Sequence, residues 1–222
     1  GRDVERWGGG NQVAEALLFG AGHPDRRRRG LLLLAGARHR LRLRREPRRH
    51  VLDSYADLNI KYSDATSNVT KLEAMGATVL HGVDVKDMNL HANLQLRWFD
   101  RIVFNFPHAG FNGREDKADV IQSHKELVRS FFATKRHMLR RHGEIHVTHK
   151  TKHPCSMWGI EQLASQSSLA MVEQAAFQIQ DYPGYNQKRG SSWRCDQDFA
   201  IGDCCTFKFC LEWWASDDDR FF

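Results

Sequence analysis

A chain of 222 residues, 41% of them hydrophobic and 27% charged, is long enough for one α/β domain with a full core and too short for two ordinary domains with linkers. The net charge of +6 invites an anionic partner, while no apolar run reaches membrane-spanning length and the opening residues lack the apolar centre of a signal peptide. The expectation is a soluble, intracellular, monomeric protein with no membrane partner. Cys155, Cys195, Cys204, Cys205 and Cys210 show neither CxxC spacing nor an even count, so they are expected to be reduced structural thiols.

The charge is unevenly placed. Residues 26–49 hold eleven arginines and one acid, Glu46, for +10, which leaves the rest of the chain at −4. The window fits no ordinary element: Leu31-Leu32-Leu33-Leu34 is wholly apolar, and the alternation from Arg40 to Arg44 would charge every second residue of a strand. A basic arm binding phosphate is one reading. Crowded Arg, Leu, Ala, Pro and Gly are also what a GC-rich coding sequence yields out of frame. With codons beginning one base later, residues 26–30 can encode Val-Gly-Asp-Gly-Asp and the four leucines Phe-Ser-Phe-Ser. The recovered pattern is a strand, a glycine-rich turn and an amphipathic helix. As they stand, residues 13–51 are expected to be irregular and residues 1–51 to lie outside the domain.

From residue 52 the pattern is regular. Leu52-Asp53 ends a strand and places a carboxylate where nucleotide-binding sheets hold a ribose diol. Residues 64–75 carry Val69, Leu72 and Met75 at helical spacing with Gly76 as C-cap, and residues 77–85 form a strand and loop with Asp84 near its carboxyl end. Residues 99–104 are an apolar strand running into Asn105-Phe106-Pro107-His108, a polar turn stiffened by proline at the point where open α/β sheets place their chemistry. Asn105 can offer a donor and an acceptor to a flat base edge. Residues 120–139 read as a core helix through Val120, Leu127, Val128, Phe131, Phe132, Met138 and Leu139. Residues 143–150 are a strand, 158–166 a helix, and 169–179 and 205–211 strands. This alternation predicts an α/β three-layer sandwich over residues 52–212. Its sheet is mostly parallel with an antiparallel pair at one edge, and residues 213–222 are a tail.

Tyr182, Tyr185, Lys188 and Arg189 mix aromatic and basic side chains in one loop, which either stacks bases and neutralises phosphates or packs on its own aromatics. His146, His149 and His153 do not read as a metal site, because strand alternation sends His146 and His149 to opposite faces.

Four motifs then stand in order: Leu80-His81-Gly82-Val83-Asp84-Val85, Phe99-Asp100-Arg101-Ile102-Val103-Phe104-Asn105-Phe106-Pro107-His108-Ala109-Gly110, Gly143-Glu144-Ile145-His146-Val147-Thr148-His149-Lys150, and Asp181-Tyr182-Pro183-Gly184-Tyr185-Asn186-Gln187-Lys188-Arg189-Gly190. Over residues 52–211 the chain resembles the Rossmann-like domain of the 25S ribosomal RNA (uridine-N3)-methyltransferases, in a form common in plants. The resemblance implies S-adenosylmethionine as cofactor, ribosomal RNA as partner, uridine N3 as the methylated atom, and the nucleolus or cytoplasm as the place of work. The family's Gly-Glu-Gly-(Asp/Asn)-Phe-Ser-Phe cofactor turn is missing as the chain stands and reappears only in the shifted frame. On this reading Asp53 and Asp84 contact the cofactor, Asn105 pairs with the imide edge, and Pro107 sets the backbone. Phe106 then stacks on the flipped base, and His108 helps take the N3 proton. Two alternatives remain: a non-catalytic RNA-binding or scaffold remnant, and an amino-methyltransferase, since Asn-Phe-Pro-His loosely resembles the Asn-Pro-Pro-Tyr loops of such enzymes.

Overall fold

The computed structural model describes residues 15–20, 30–34, 54–74, 78–81, 83, 85–110, 113–182, 187–188 and 195–215. Two strands, β1 (Glu15–Gly20) and β2 (Gly30–Leu34), precede a helix pair, α1 (Tyr55–Lys61) and α2 (Ala65–Ala74), and a short strand β3 (Thr78–Leu80). Then come β4 (Phe99–Asn105), α3 (Ala118–Lys135), β5 (Leu139–Lys150), α4 (Ile160–Ser165), β6 (Leu169–Ala176), β7 (Cys204–Leu211) and α5 (Glu212–Ala215). The strands form one seven-stranded sheet in the order β3-β2-β1-β4-β5-β7-β6.

Five strands run one way. β2 pairs parallel with β3, and β4 with β5, whereas β1 is antiparallel to both its neighbours and β7 to both of its own. The α/β class with a mostly parallel sheet is therefore present, with two refinements. The antiparallel strand β7 lies inside the edge, and β6 is the outermost strand. Residues 13–51, expected to be irregular, contribute two strands, because the short apolar runs Ala16-Leu17-Leu18-Phe19 and Leu31-Leu32-Leu33-Leu34 suit a sheet interior.

Local chemistry explains the helices. Ser54 and Asp57 form a reciprocal capping box, the Ser54 hydroxyl accepting the Asp57 N–H at 3.2 Å and the Asp57 carboxylate accepting the Ser54 N–H at 3.3 Å. α3 turns Val120, His124, Leu127, Val128, Phe131 and Phe132 inward, the three-and-four spacing of an amphipathic helix. It ends at Lys135, so Met138 and Leu139 leave the predicted helix, Met138 in a 3-10 turn and Leu139 as the first residue of β5. Phe104 on β4 meets Phe131 with ring centroids 4.6 Å apart, and Phe132 meets Phe209 on β7 edge-on at 5.2 Å. Within the stretch read as a tail from residue 213, Trp214 of α5 packs against this core. All five cysteines are free, and no helix among the described residues is long and apolar enough to cross a membrane.

Candidate functional site at the carboxyl end of β4

β4 delivers Asn105 to the sheet margin, opposite Thr148 on β5 and Glu15 on β1. The next residue turns the chain away. Phe106 has φ +46°, a left-handed conformation that a bulky side chain rarely adopts and that stores about 1–3 kcal/mol of strain held by its surroundings. Its N–H still donates to the Thr148 carbonyl at 2.8 Å, and Pro107, His108, Ala109 and Gly110 follow as a buried turn.

Two imidazoles hold that turn. The Ala109 N–H donates to His124 Nδ1 and the Gly110 N–H to His108 Nδ1, each at 3.0 Å. Because each Nδ1 accepts a backbone proton, each neutral ring carries its own proton on Nε2. The rings lie 4.1 Å apart, Trp158 stacks on His124 at 4.4 Å, and His149 lies 4.2 Å from Trp158. Nε2 of His108 lies 3.6 Å from Glu115, a carboxylate one-third exposed.

The electrostatics favour neutral rings beside one ionised acid. Burial lowers His108 below its ordinary range and pushes His149 from 6.5 down to about 4. Glu115 is held below the usual carboxylate range by hydrogen bonding to His108 and by the nearby Lys150 charge. Cys155, by contrast, is pushed up to about 11 by burial, which favours the protonated thiol.

The expected residues divide as follows. Asn105, Phe106, Pro107 and His108 come together. Phe106 is only 8% exposed, however, packed edge-on against Phe177 at 5.8 Å and Phe199 at 5.6 Å. Tyr182 stacks on Phe177 at 5.1 Å and remains 51% exposed, so the aromatic column that starts at Phe106 opens to solvent at Tyr182. Lys188 is engaged by Asp198 at 3.0 Å and Asp196 at 3.5 Å. Asp53, Asp84, Tyr185 and Arg189 lie outside the described residues. Of the three histidines, His146 contacts Glu144 at 2.7 Å and His149 Nε2 donates to the Cys155 carbonyl at 3.0 Å. Sequence reasoning missed Glu115, Phe177 and Phe199. The adjacent acids Glu115 and Asp116 shortly after the turn were the available signal for the first, and isolated aromatics for the other two.

The cofactor half of such a site needs a glycine-rich turn opening where Asn105 lies. β1 is reversed: Glu15 lies beside Asn105 and Phe19 beside Arg101, so the chain leaves β1 at the far end of β4. Among the described residues, β1 therefore does not open into such a turn at this end of the sheet.

Residues 48–189 match the BMT5-like family, described as rRNA (uridine-N3-)-methyltransferase BTM5-like. The chain belongs to this family. Over 158 residues it is 49% identical to heavy metal-associated isoprenylated plant protein 41 of Arabidopsis thaliana, covering 71% of this chain and 31% of that protein. It thus spans less than a third of that relative's length. Over 161 residues it is 47% identical to an uncharacterized Arabidopsis thaliana protein, covering 71% of this chain and 77% of that one. Among solved structures, the N-methyltransferase NodS from Bradyrhizobium japonicum is similar with a TM-score of 0.35 at 13% identity, covering 63% of each chain. This BMT5-like chain carries an rRNA methyltransferase-like fold.

Proposed function

We propose that this family domain methylates uridine N3 in large-subunit ribosomal RNA and that the chain as it stands holds only the base-reading half of the site. The observation that supports this most is Asn105 at the tip of β4, directly before a buried turn anchored by His108 with Glu115 3.6 Å beyond. S-adenosylmethionine, when bound, supplies an electrophilic sulfonium methyl.

The chain's own residues handle the acceptor. Uridine N3 is flanked by two carbonyls, and the Asn105 amide is placed to donate to one of them and fix the ring in its plane. The N3 proton must depart as N3 becomes nucleophilic. His108 has its Nδ1 engaged by Gly110 and its Nε2 proton facing Glu115, so the ionised, partly exposed Glu115 is the member of the pair able to accept it. His108 thus positions Glu115. Tyr182, rather than the enclosed Phe106, offers an open ring for stacking on the RNA.

The reversed β1 favours a second reading for the chain as it stands, a non-catalytic RNA-binding remnant. Titration calorimetry with S-adenosylmethionine separates the two. The chain as it stands is expected to give no saturable heat, and a chain recoded one base later across residues 13–51 is expected to give it. Saturable heat from the former contradicts the consequence drawn from β1, and none from the latter contradicts the methyltransferase reading.

A further inference from the structure

At the opposite end of the sheet β5 is bulged. Phe99 pairs with Leu139 and Arg101 with Glu144, so Asp100 alone on β4 faces four residues on β5, Arg140, Arg141, His142 and Gly143. Gly143 makes the bulge feasible. A Cβ there would lie 2.8 Å from the Phe99 carbonyl oxygen and 3.2 Å from the Arg140 nitrogen, so no other residue fits without moving backbone. Bulges re-aim side chains at the cost of pairing, and this one turns Arg140, Arg141 and His142 outward, all exposed.

These residues line a cleft of about 650 Å³ with Trp98, Asp100 and Leu139. Trp98 is 57% exposed and Trp213 on α5 49%. The Arg141 guanidinium lies 5.7 Å from the Trp213 ring centre and 5.9 Å from that of Trp214, whose ring His142 meets edge-on at 4.1 Å. Across 97–101 and 140–144 four arginines and one histidine face two acids, Asp100, 3.6 Å from Arg140, and Glu144, 3.7 Å from Arg101, so positive charge is in excess against a background of −4 outside residues 26–49.

We propose that this bulged cleft is a second nucleic-acid site, docking a single-stranded RNA segment with Arg140 and Arg141 on its phosphates and Trp98 beneath an unpaired base. Interleaved guanidinium groups and open indole rings suit that ligand, since bases stack on aromatic faces and phosphates need mobile cations. An apolar protein partner would instead need a continuous greasy patch, and here the open tryptophans are separated by charge. The site lies at the amino ends of β4 and β5, away from Asn105, so it would hold RNA flanking the target. It rests on the reading of RNA as partner.

Fluorescence anisotropy of the full chain with a fluorescein-labelled oligouridylate of about a dozen nucleotides tests it. The Arg140→Ala/Arg141→Ala double variant is expected to bind about tenfold or more weakly and with a salt dependence shallower by about one or two ions. Trp98→Ala is expected to lose at least about fivefold from stacking. A Lys71→Ala/Lys125→Ala control of equal charge change should stay within about twofold, because those lysines lie elsewhere. Patch variants that bind like the control overturn this site and leave the RNA reading standing. Failure of the unaltered chain to bind the oligonucleotide overturns both.

Discussion

Replacing Asn105 with alanine in the recoded chain is expected to lower N3-methyluridine formation by about 10²-fold, because loss of one orienting contact misplaces the acceptor nitrogen by the small distance that costs two orders of magnitude. Asn105→Asp, which keeps the shape and removes the NH2 donor, should fall nearly as far. The thermal midpoint should stay within a degree or two, about the effect of a surface change. Asn105 is only partly buried, and no hydrogen bond holds its side-chain amide among the described residues. Rates measured by quantifying the modified nucleoside, with melting curves alongside, check both halves. Undiminished methylation by either variant removes Asn105 from the site.

Acidification is expected to weaken the fold mainly through His149. Its folded value of about 4 lies below the ordinary 6.5, so above 6.5 neither state holds the extra proton and the group is silent. As pH falls below 6.5 the unfolded chain takes up a proton that the folded chain refuses, and stability drops by up to about 1.4 kcal/mol per pH unit until about 4, near 3 kcal/mol in all. His108, lowered by burial, adds in the same direction, and Glu115, lowered by its contact with His108, loses its contribution as it protonates. His149→Gln retains a donor for the Cys155 carbonyl and removes the titration. Urea unfolding across this range should therefore show a shallower pH dependence in the variant, and parallel curves would exclude His149 as the cause.

The site end of the fold was largely legible. The apolar run Ile102-Val103-Phe104 ending in Asn-Phe-Pro-His announced both β4 and its turn, and the spacing from Val120 to Phe132 announced α3, because burial imposes those patterns directly. Elements with weak apolar signals were not. α1 buries only Leu58 and is specified by the Ser54–Asp57 capping box. The bulge at residues 140–143 is polar, so the apolar pattern marks the strand only from Gly143 although β5 begins at Leu139. Phe177 and Phe199 meet Phe106 only after β6 and β7 pair, a long-range juxtaposition that local pattern cannot carry. The direction of β1 follows from pairing partners rather than from its own apolar residues, which suit either orientation.

Nucleoside mass spectrometry of large-subunit ribosomal RNA, incubated with S-adenosylmethionine and either the recoded chain or the chain as it stands, bears most directly on the assignment of the β4 turn to uridine N3. N3-methyluridine from the recoded chain alone is the expected result. Methyl groups on an adenine or cytosine amine, or no methylated nucleoside from the recoded chain, would contradict it.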